Sequence, residues 1–172
     1  MQEAASRLRD SWLEEPGGSV QDSRILLFAS EPVSRDCGPA TPYYPGYTEV
    51  DALAGLAEAA RAVEERTGVP VRLVCKLHPD EIEAEVLRSL PPAHPILIVG
   101  RDSLSEKYAV AADVVIGMTS MFLVEGACLG RPVISFQPGD GAGGEFIGTR
   151  LGLCGTARTG PELLSLIESA LE

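Results

Sequence analysis

The chain has 172 residues, of which 45% are hydrophobic, and its formal net charge is −11 at neutral pH. This length suits one domain with its own core and leaves no room for a second full domain. The negative charge repels nucleic-acid backbones and anionic membrane surfaces, so we expect no nucleic-acid partner, and any phosphate-bearing ligand must be held by local groups.

The start of the chain indicates neither a signal peptide nor an anchor. Residues 1–13 carry charges of both signs, and no run of about 18 apolar residues occurs anywhere in the sequence. We therefore expect no membrane span and a cytoplasmic location. Residues 1–23 are predicted to form an N-terminal helix with a linker, and residues 24–172 to form the folded domain.

Short, continuous apolar runs alternate with segments of helical period along the chain. The predicted strands cover residues 25–29, 71–75, 96–99, 114–117 and 133–136, with a weaker sixth strand near 155–158. The predicted helices cover residues 50–63, 81–90, 103–111, 120–129 and 161–171. Continuous apolar runs are typical of strands buried on both faces of a parallel sheet. The alternation predicts an α/β fold with helices on both faces of that sheet.

The four cysteines are far apart and form no C-x-x-C pair. They stand at Cys37, Cys75, Cys128 and Cys154. This spacing favours reduced, structural thiols over a disulfide framework or a metal site. We accordingly expect no bound metal.

Polar residues at the strand ends are the first candidates for a binding site, because ligands of such sheets bind beyond the carboxyl ends of the strands. These strand ends read Ser30-Glu31, Lys76-Leu77-His78-Pro79, Gly100-Arg101, Met118-Thr119-Ser120 and Gln137-Pro138-Gly139-Asp140. From this set we select Ser30, Lys76, His78, Met118, Thr119, Ser120 and Gln137 as candidate ligand-binding residues.

Two features near residue 120 suggest an anionic ligand that carries a ribose. Thr119 and Ser120 open a helix directly after a buried strand, where free N–H groups and the helix dipole favour phosphate. The alternative is a plain N-cap. Glu125 is the only charge in an otherwise apolar helix, and its carboxylate suits the two hydroxyls of a ribose. The alternative is a solvent-facing Glu125 or one paired with Arg131.

The second strand end and two loops leave their roles open. His78 is either a ligand-binding or a structural histidine. Lys76 either binds an anion or extends its ammonium from the strand edge to solvent. Asp80 and Glu81 are interpreted as charges of a first helical turn. The glycine-rich stretch 138–145 is either a ligand-covering loop or a surface loop, and in the long loop 32–47 a tyrosine at 43 or 44 either stacks on a base or packs on the surface.

Two common nucleotide-binding patterns are missing from the sequence. No G-x-G-x-x-G follows the first strand, and no G-x-x-x-x-G-K-[ST] occurs. Nicotinamide binding of the usual kind and P-loop hydrolysis are therefore disfavoured.

Several of these segments together resemble a known enzyme family. The segments are Lys76-Leu77-His78-Pro79, the run from Ala112 to Ser120, and the run from Glu125 to Ile134. They are similar to the C-terminal half of GT-B glycosyltransferases, above all surface-polysaccharide and CDP-glycerol glycerophosphotransferase-like proteins, with UDP-N-acetylglucosamine 2-epimerase-like proteins as cousins. The resemblance extends from Arg24 to Glu172.

The resemblance implies a Rossmann-like three-layer αβα sandwich that binds the nucleotide of an activated donor. His78 would approach the donor phosphates and act in catalysis, Thr119 and Ser120 would bind the pyrophosphate, and Glu125 would hold the ribose. The donor, a nucleotide-activated sugar or polyol, is a substrate, so we expect no cofactor.

The same resemblance bears on activity. A complete GT-B enzyme has an N-terminal acceptor domain, and we expect that domain or a partner subunit to be needed for glycosyl transfer. The alternatives are a noncatalytic nucleotide- or sugar-binding module and half of a UDP-sugar 2-epimerase-like enzyme.

Overall fold

Six parallel strands form one sheet in the computed structural model, which describes residues 1–14, 22–83, 86, 95–99, 105–139 and 145–172. The strands are β1 (Arg24–Ala29), β2 (Val71–Lys76), β3 (Ile96–Val99), β4 (Val114–Gly117), β5 (Val133–Phe136) and β6 (Gly155–Ala157). They lie in the order β3-β2-β1-β4-β5-β6, and every adjacent pair is parallel. All six predicted strands are therefore confirmed, including the weak sixth.

The helices of the described residues are α1 (Gln2–Glu14), α2 (Val33–Asp36), α3 (Glu49–Thr67), α4 (Ser105–Ala111), α5 (Met121–Cys128), α6 (Ile147–Arg150) and α7 (Gly160–Leu171). α3 is longer than predicted because both of its ends are capped. Thr48 and Asp51 form a capping box at its start, and Gly68 ends it with a φ of 70°. None of the helices in the described ranges is both long and apolar enough to cross a bilayer.

Some predicted segments lie outside the described residues. They are the linker at 15–21, most of the predicted helix 81–90, the start of the predicted helix 103–111, and residues 140–144 of the glycine-rich stretch.

The helices cover both faces of the sheet and make three layers. Alternate residues of β1 point to opposite faces: Leu26 and Phe28 join the core cluster formed with α3 and α7. Ile25 and Leu27 join the cluster formed with α1, α4 and α5. All four of these side chains are fully buried. This confirms the αβα sandwich and explains the continuous apolar runs, because both faces of each central strand are covered.

The predicted N-terminal helix is present and packs on the second of these faces. The Trp12 ring stacks on Tyr108 of α4, with centroids 5.8 Å apart. The Arg9 guanidinium donates to the Asp113 carboxylate at 3.0 Å and to the carbonyl oxygen of Ala111 at 2.9 Å. These contacts attach α1 near the amino end of β4.

The carboxyl ends of the three central strands lie level with one another. Ala29 pairs with Lys76 of β2 on one side and with Gly117 of β4 on the other. A Cβ at Gly117 would lie 3.1 Å from the Ala29 carbonyl oxygen and 3.2 Å from a methyl carbon of Leu123. The glycine thus allows α5 to approach the sheet closely at this edge.

Candidate functional site

An open cavity of about 480 Å³ lies beyond the carboxyl ends of β1, β2 and β4. The chain proceeds from β1 to β2 and β3 on one side of the sheet, and from β4 to β5 and β6 on the other. The gap between β1 and β4 is therefore the point where the strand order reverses, the usual ligand position in this kind of sheet. The cavity is lined by Glu31, Pro32, Val33, Asp36, Cys37, His78, Thr119, Ser120 and Met121.

The N-terminus of α5 forms one wall of the cavity. The Ser120 hydroxyl caps the helix by accepting a hydrogen bond from the Phe122 N–H at 3.3 Å. The Thr119 N–H donates to Oε2 of Glu31 at 2.7 Å, and the Thr119 hydroxyl donates to Oε1 at 3.1 Å. A carboxylate from the end of β1 thus occupies the position in which the sequence predicts a phosphate.

Burial raises the pKa of the Glu31 carboxyl above its usual value. The main-chain N–H groups of Thr119 and Ser120, the Thr119 hydroxyl and the charge of His78 act in the opposite direction, but desolvation is the largest cause. The hydroxyl of Tyr47 is also buried, and burial together with the negative charge of Glu31 raises its pKa to about 12. Glu31 thus places a partly dehydrated carboxyl group in the lining of the cavity.

His78 reaches the cavity from the end of β2. Its Nδ1 accepts a hydrogen bond from the Asp80 N–H at 3.2 Å, so the proton of the neutral ring lies on Nε2. The His78 side chain is 41% exposed, which leaves it accessible to a ligand. Of the candidate residues, the structure brings His78, Thr119 and Ser120 together around this cavity.

A buried carboxylate fixes the turn that carries His78. Glu81 is only 5% exposed, and its Oε2 accepts the His78 N–H at 2.6 Å. Its Oε1 accepts the Ser30 hydroxyl at 2.7 Å. Burial, the largest cause, raises the pKa of Glu81. Glu81 therefore joins the ends of β1 and β2, whereas the sequence indicated only a charge of a first helical turn.

Three other candidate residues direct their side chains away from the cavity. Met118 is fully buried in the core against α3 and α7, and its carbonyl oxygen accepts the Ser135 hydroxyl at 2.6 Å. Gln137 is 1% exposed and donates to the same hydroxyl at 2.9 Å. The Lys76 ammonium lies 5.5 Å from the centre of the Phe122 ring. Their strand-end positions are as expected, but pleating turns the Met118 and Gln137 side chains into the interior, and Lys76 does not line the cavity.

Glu125 is exposed on α5, one turn beyond the cavity wall. It does not line the cavity, and no ion pair joins it to Arg131 among the residues that the structure describes. Because Glu125 is exposed, its carboxylate has no burial cost that a partner must offset, so the solvent-facing alternative describes Glu125.

Sequence reasoning missed Glu31 and Glu81 as functional side chains. Glu31 follows Ser30 at a strand end and precedes Pro32, so its position alone could have indicated it. Glu81 gave no such signal, because its partners Ser30 and His78 come from different strand ends. Tyr43 is 77% exposed in the loop after β1, whereas Tyr47 of the same loop is buried in the core.

Comparisons with known proteins identify the fold. The chain matches E. coli ADP-heptose LPS heptosyltransferase II with a TM-score of 0.55 and 15% identity, over 96% of this chain and 52% of that one. It matches Methanocaldococcus jannaschii UDP-GlcNAc 2-epimerase, solved with UDP-GlcNAc and UDP, with a TM-score of 0.55 and 13% identity, over 99% and 45%. A family 9 glycosyl transferase from Veillonella parvula matches with a TM-score of 0.53 and 13% identity, over 96% of this chain and 51% of that one.

No protein-family model matches the chain, and no curated protein matches it. The chain spans about half the length of each of the three solved proteins. It therefore has the fold of about half of a glycosyltransferase or 2-epimerase of this kind, which confirms the GT-B resemblance at the level of fold.

Proposed function

We propose that this chain is the donor-nucleotide-binding domain of a glycosyltransferase-like enzyme of surface-carbohydrate biosynthesis. The observation that carries the proposal is the convergence of His78, Thr119 and Ser120 on one open cavity at the strand-order reversal. The sheet belongs to a fold that two glycosyltransferases and a sugar-nucleotide epimerase share. The ligand would be a nucleoside diphosphate that carries a sugar or a polyol.

The chemistry of the cavity suits a diphosphate that becomes a leaving group. The N–H groups at the start of α5 and its dipole favour negative charge, and Nε2 of His78 supplies a donor from the opposite wall. Such donors stabilise the charge that develops on a departing nucleoside diphosphate. The net charge of −11 makes these local groups necessary, because the protein as a whole repels the ligand.

The ribose and the acceptor would be bound outside the cavity wall formed by α5. Glu125, exposed one turn further along α5, would bind the ribose hydroxyls beyond the residues that line the cavity. An N-terminal acceptor domain or a partner subunit would bind the acceptor, since the cavity is open and the chain spans about half the length of its structural neighbours.

Calorimetric titration of the chain with UDP, CDP, GDP and ADP, and then with their sugar conjugates, tests the proposal. We expect saturable binding of one diphosphate. His78→Ala and Ser120→Ala should each weaken it about tenfold or more, the usual cost of losing a hydrogen bond to a charged group.

Thr159→Ala is the matched control for Ser120→Ala, because Thr159 caps α7 at a place that does not line the cavity. Both substitutions remove an N-cap, but only Ser120→Ala should change the affinity. Failure of every diphosphate to bind at millimolar concentration would refute a donor site in this chain. Preference for UDP-GlcNAc over the other conjugates would favour the epimerase-like alternative.

A further inference from the structure

The proposed diphosphate position already contains an anion that belongs to the chain. Both carboxylate oxygens of Glu31 are bonded to Thr119, one to the main-chain N–H at 2.7 Å and the other to the hydroxyl at 3.1 Å. The main-chain N–H of Ser120 also acts on this carboxyl and lowers its pKa. Glu31 therefore engages both the main-chain N–H and the hydroxyl of Thr119 at the start of α5.

A carboxylate with this geometry imitates two oxygens of a phosphate group. The carboxylate is planar and the phosphate is tetrahedral, but the oxygens of both accept hydrogen bonds from N–H and O–H groups. Both anions are favoured at a helix N-terminus. A diphosphate can bind to the same donors only if it displaces Glu31 from them. The two anions cannot share the position, because their charges would repel one another in a partly dehydrated cavity.

We propose that Glu31 is an internal competitor for the donor's diphosphate, so that the nucleotide binds only when this carboxylate leaves Thr119. The inference rests on the proposed function, since it names what regulates the same cavity. In the ligand-free state Glu31 occupies the diphosphate position. The measured affinity is then the intrinsic affinity multiplied by the fraction of molecules in which Glu31 has left Thr119.

The surroundings of Glu31 support its release. Burial raises the pKa of its carboxyl despite the bonds from Thr119, so the contact only partly compensates the lost hydration. The residue is partly exposed and borders an open cavity, which gives the side chain a route to solvent. The titratable groups that act on it electrostatically are His78 and Tyr47, and neither forms a hydrogen bond with it in the described structure.

The test compares the binding of UDP and of inorganic pyrophosphate to the wild-type chain, Glu31→Ala and Glu31→Gln, by calorimetry at pH 7.5. We expect Glu31→Ala to bind both ligands about tenfold more tightly than wild type, because the competing anion is gone. Glu31→Gln retains an acceptor for the Thr119 N–H without its charge, so it should fall between the two and guards against a folding defect of the alanine variant.

Asp36→Asn provides the matched control. Asp36 lines the same cavity and carries the same charge, but its carboxylate bonds to Arg35 instead of to α5. This variant should change the affinity less than threefold, which would separate direct competition from a general reduction of negative charge.

The outcomes distinguish the two proposals. Tighter binding by Glu31→Ala than by the wild-type chain supports both. Wild-type binding that is unchanged or weakened by Glu31→Ala would overturn the competitor role and leave the donor site intact. Absence of binding in all variants at millimolar concentration would overturn both. An unchanged amide resonance of Thr119 between wild type and Glu31→Ala would contradict the contact itself.

Discussion

The two ends of the sheet bind their carboxylates with different kinds of partner. At the amino end, the Asp113 carboxylate accepts the Ile25 N–H at 2.7 Å and is paired with the Arg9 guanidinium at 3.0 Å. At the carboxyl end, Glu31 and Glu81 accept hydrogen bonds from main-chain N–H groups and from hydroxyls of threonine and serine. Burial raises the pKa of both carboxyls there.

This difference separates a region with a structural ion pair from the region in which we propose a ligand site. An arginine at the amino end neutralises the carboxylate and ties α1 to the domain. Donors without charge at the carboxyl end hold Glu31 and Glu81 but leave their negative charge in place. We therefore expect a bound anion or a proton to change the energy of these carboxylates more at the carboxyl end than at the amino end.

Removal of the aromatic contact of α1 should have the largest effect, and it should be confined to stability. Trp12 is 3% exposed and stacks on Tyr108. We expect Trp12→Ala to lower the free energy of unfolding by about 3–5 kcal/mol, the usual cost of deleting a large buried ring. Urea denaturation at 25 °C measures this loss.

The control is Tyr43→Ala, which removes an aromatic side chain that is 77% exposed and should change stability by less than about 0.5 kcal/mol. Diphosphate affinity of the folded fraction should be unaltered in both variants. A loss below about 1 kcal/mol for Trp12→Ala would mean that α1 is not part of the core.

Substitution of Glu81 should affect stability and binding together. Glu81→Ala leaves the His78 N–H and the Ser30 hydroxyl without their partner, which we expect to cost about 1–3 kcal/mol of unfolding free energy. Because the turn that carries His78 is then loosened, diphosphate affinity should fall as well. Thermal or urea denaturation and calorimetry give the two values.

The conservative variant distinguishes positioning from charge. In Glu81→Gln the amide oxygen can still accept the His78 N–H, and the amide nitrogen can donate to the Ser30 oxygen. We expect it to restore most of both properties, whereas Glu83→Ala, an exposed neighbour, should change neither. If Glu81→Gln loses as much stability and affinity as Glu81→Ala, the negative charge of Glu81 is required, and the hydrogen bonds to His78 and Ser30 alone are not sufficient.

The pH dependence of stability should show the smallest effect. Burial raises the native pKa of Glu31 above its unfolded value, so the native state binds the proton more tightly. The contribution of this carboxyl therefore favours folding below its unfolded pKa, and it is lost as the pH rises through the raised native pKa. We expect the stability advantage of Glu31→Gln over wild type to be largest near pH 7.5 and to shrink towards pH 5.

Urea denaturation at half-unit pH steps measures this trend, and His78→Asn is included as a second background because the charge of His78 acts on Glu31. Tyr47, the other titratable group near Glu31, has a pKa of about 12 and keeps its proton throughout the range. A stability advantage of Glu31→Gln that grows as the pH falls would contradict a raised native pKa of Glu31.

The sequence was most informative where one segment decides its own structure. The apolar runs at 25–29 and 133–136 predicted buried strands, and the helical period at 161–171 predicted α7. The strand-end rule also located the edge at which His78 and Thr119 meet. Met118 and Gln137 share that edge, yet both turn into the core, because the pleat of each strand decides which side chains reach the cavity.

The fold class, the strands and the sheet edge that carries the cavity thus followed from the sequence by itself, since local hydrophobic pattern and chain direction are properties of short segments. Only the tertiary structure decided which groups bond to each other. Glu31 and Thr119 are 88 residues apart and become neighbours because β1 and β4 lie side by side at the reversal of strand order. Ser30, His78 and Glu81 meet for the same physical reason: the register between parallel strands, set by packing across the whole sheet, aligns their ends.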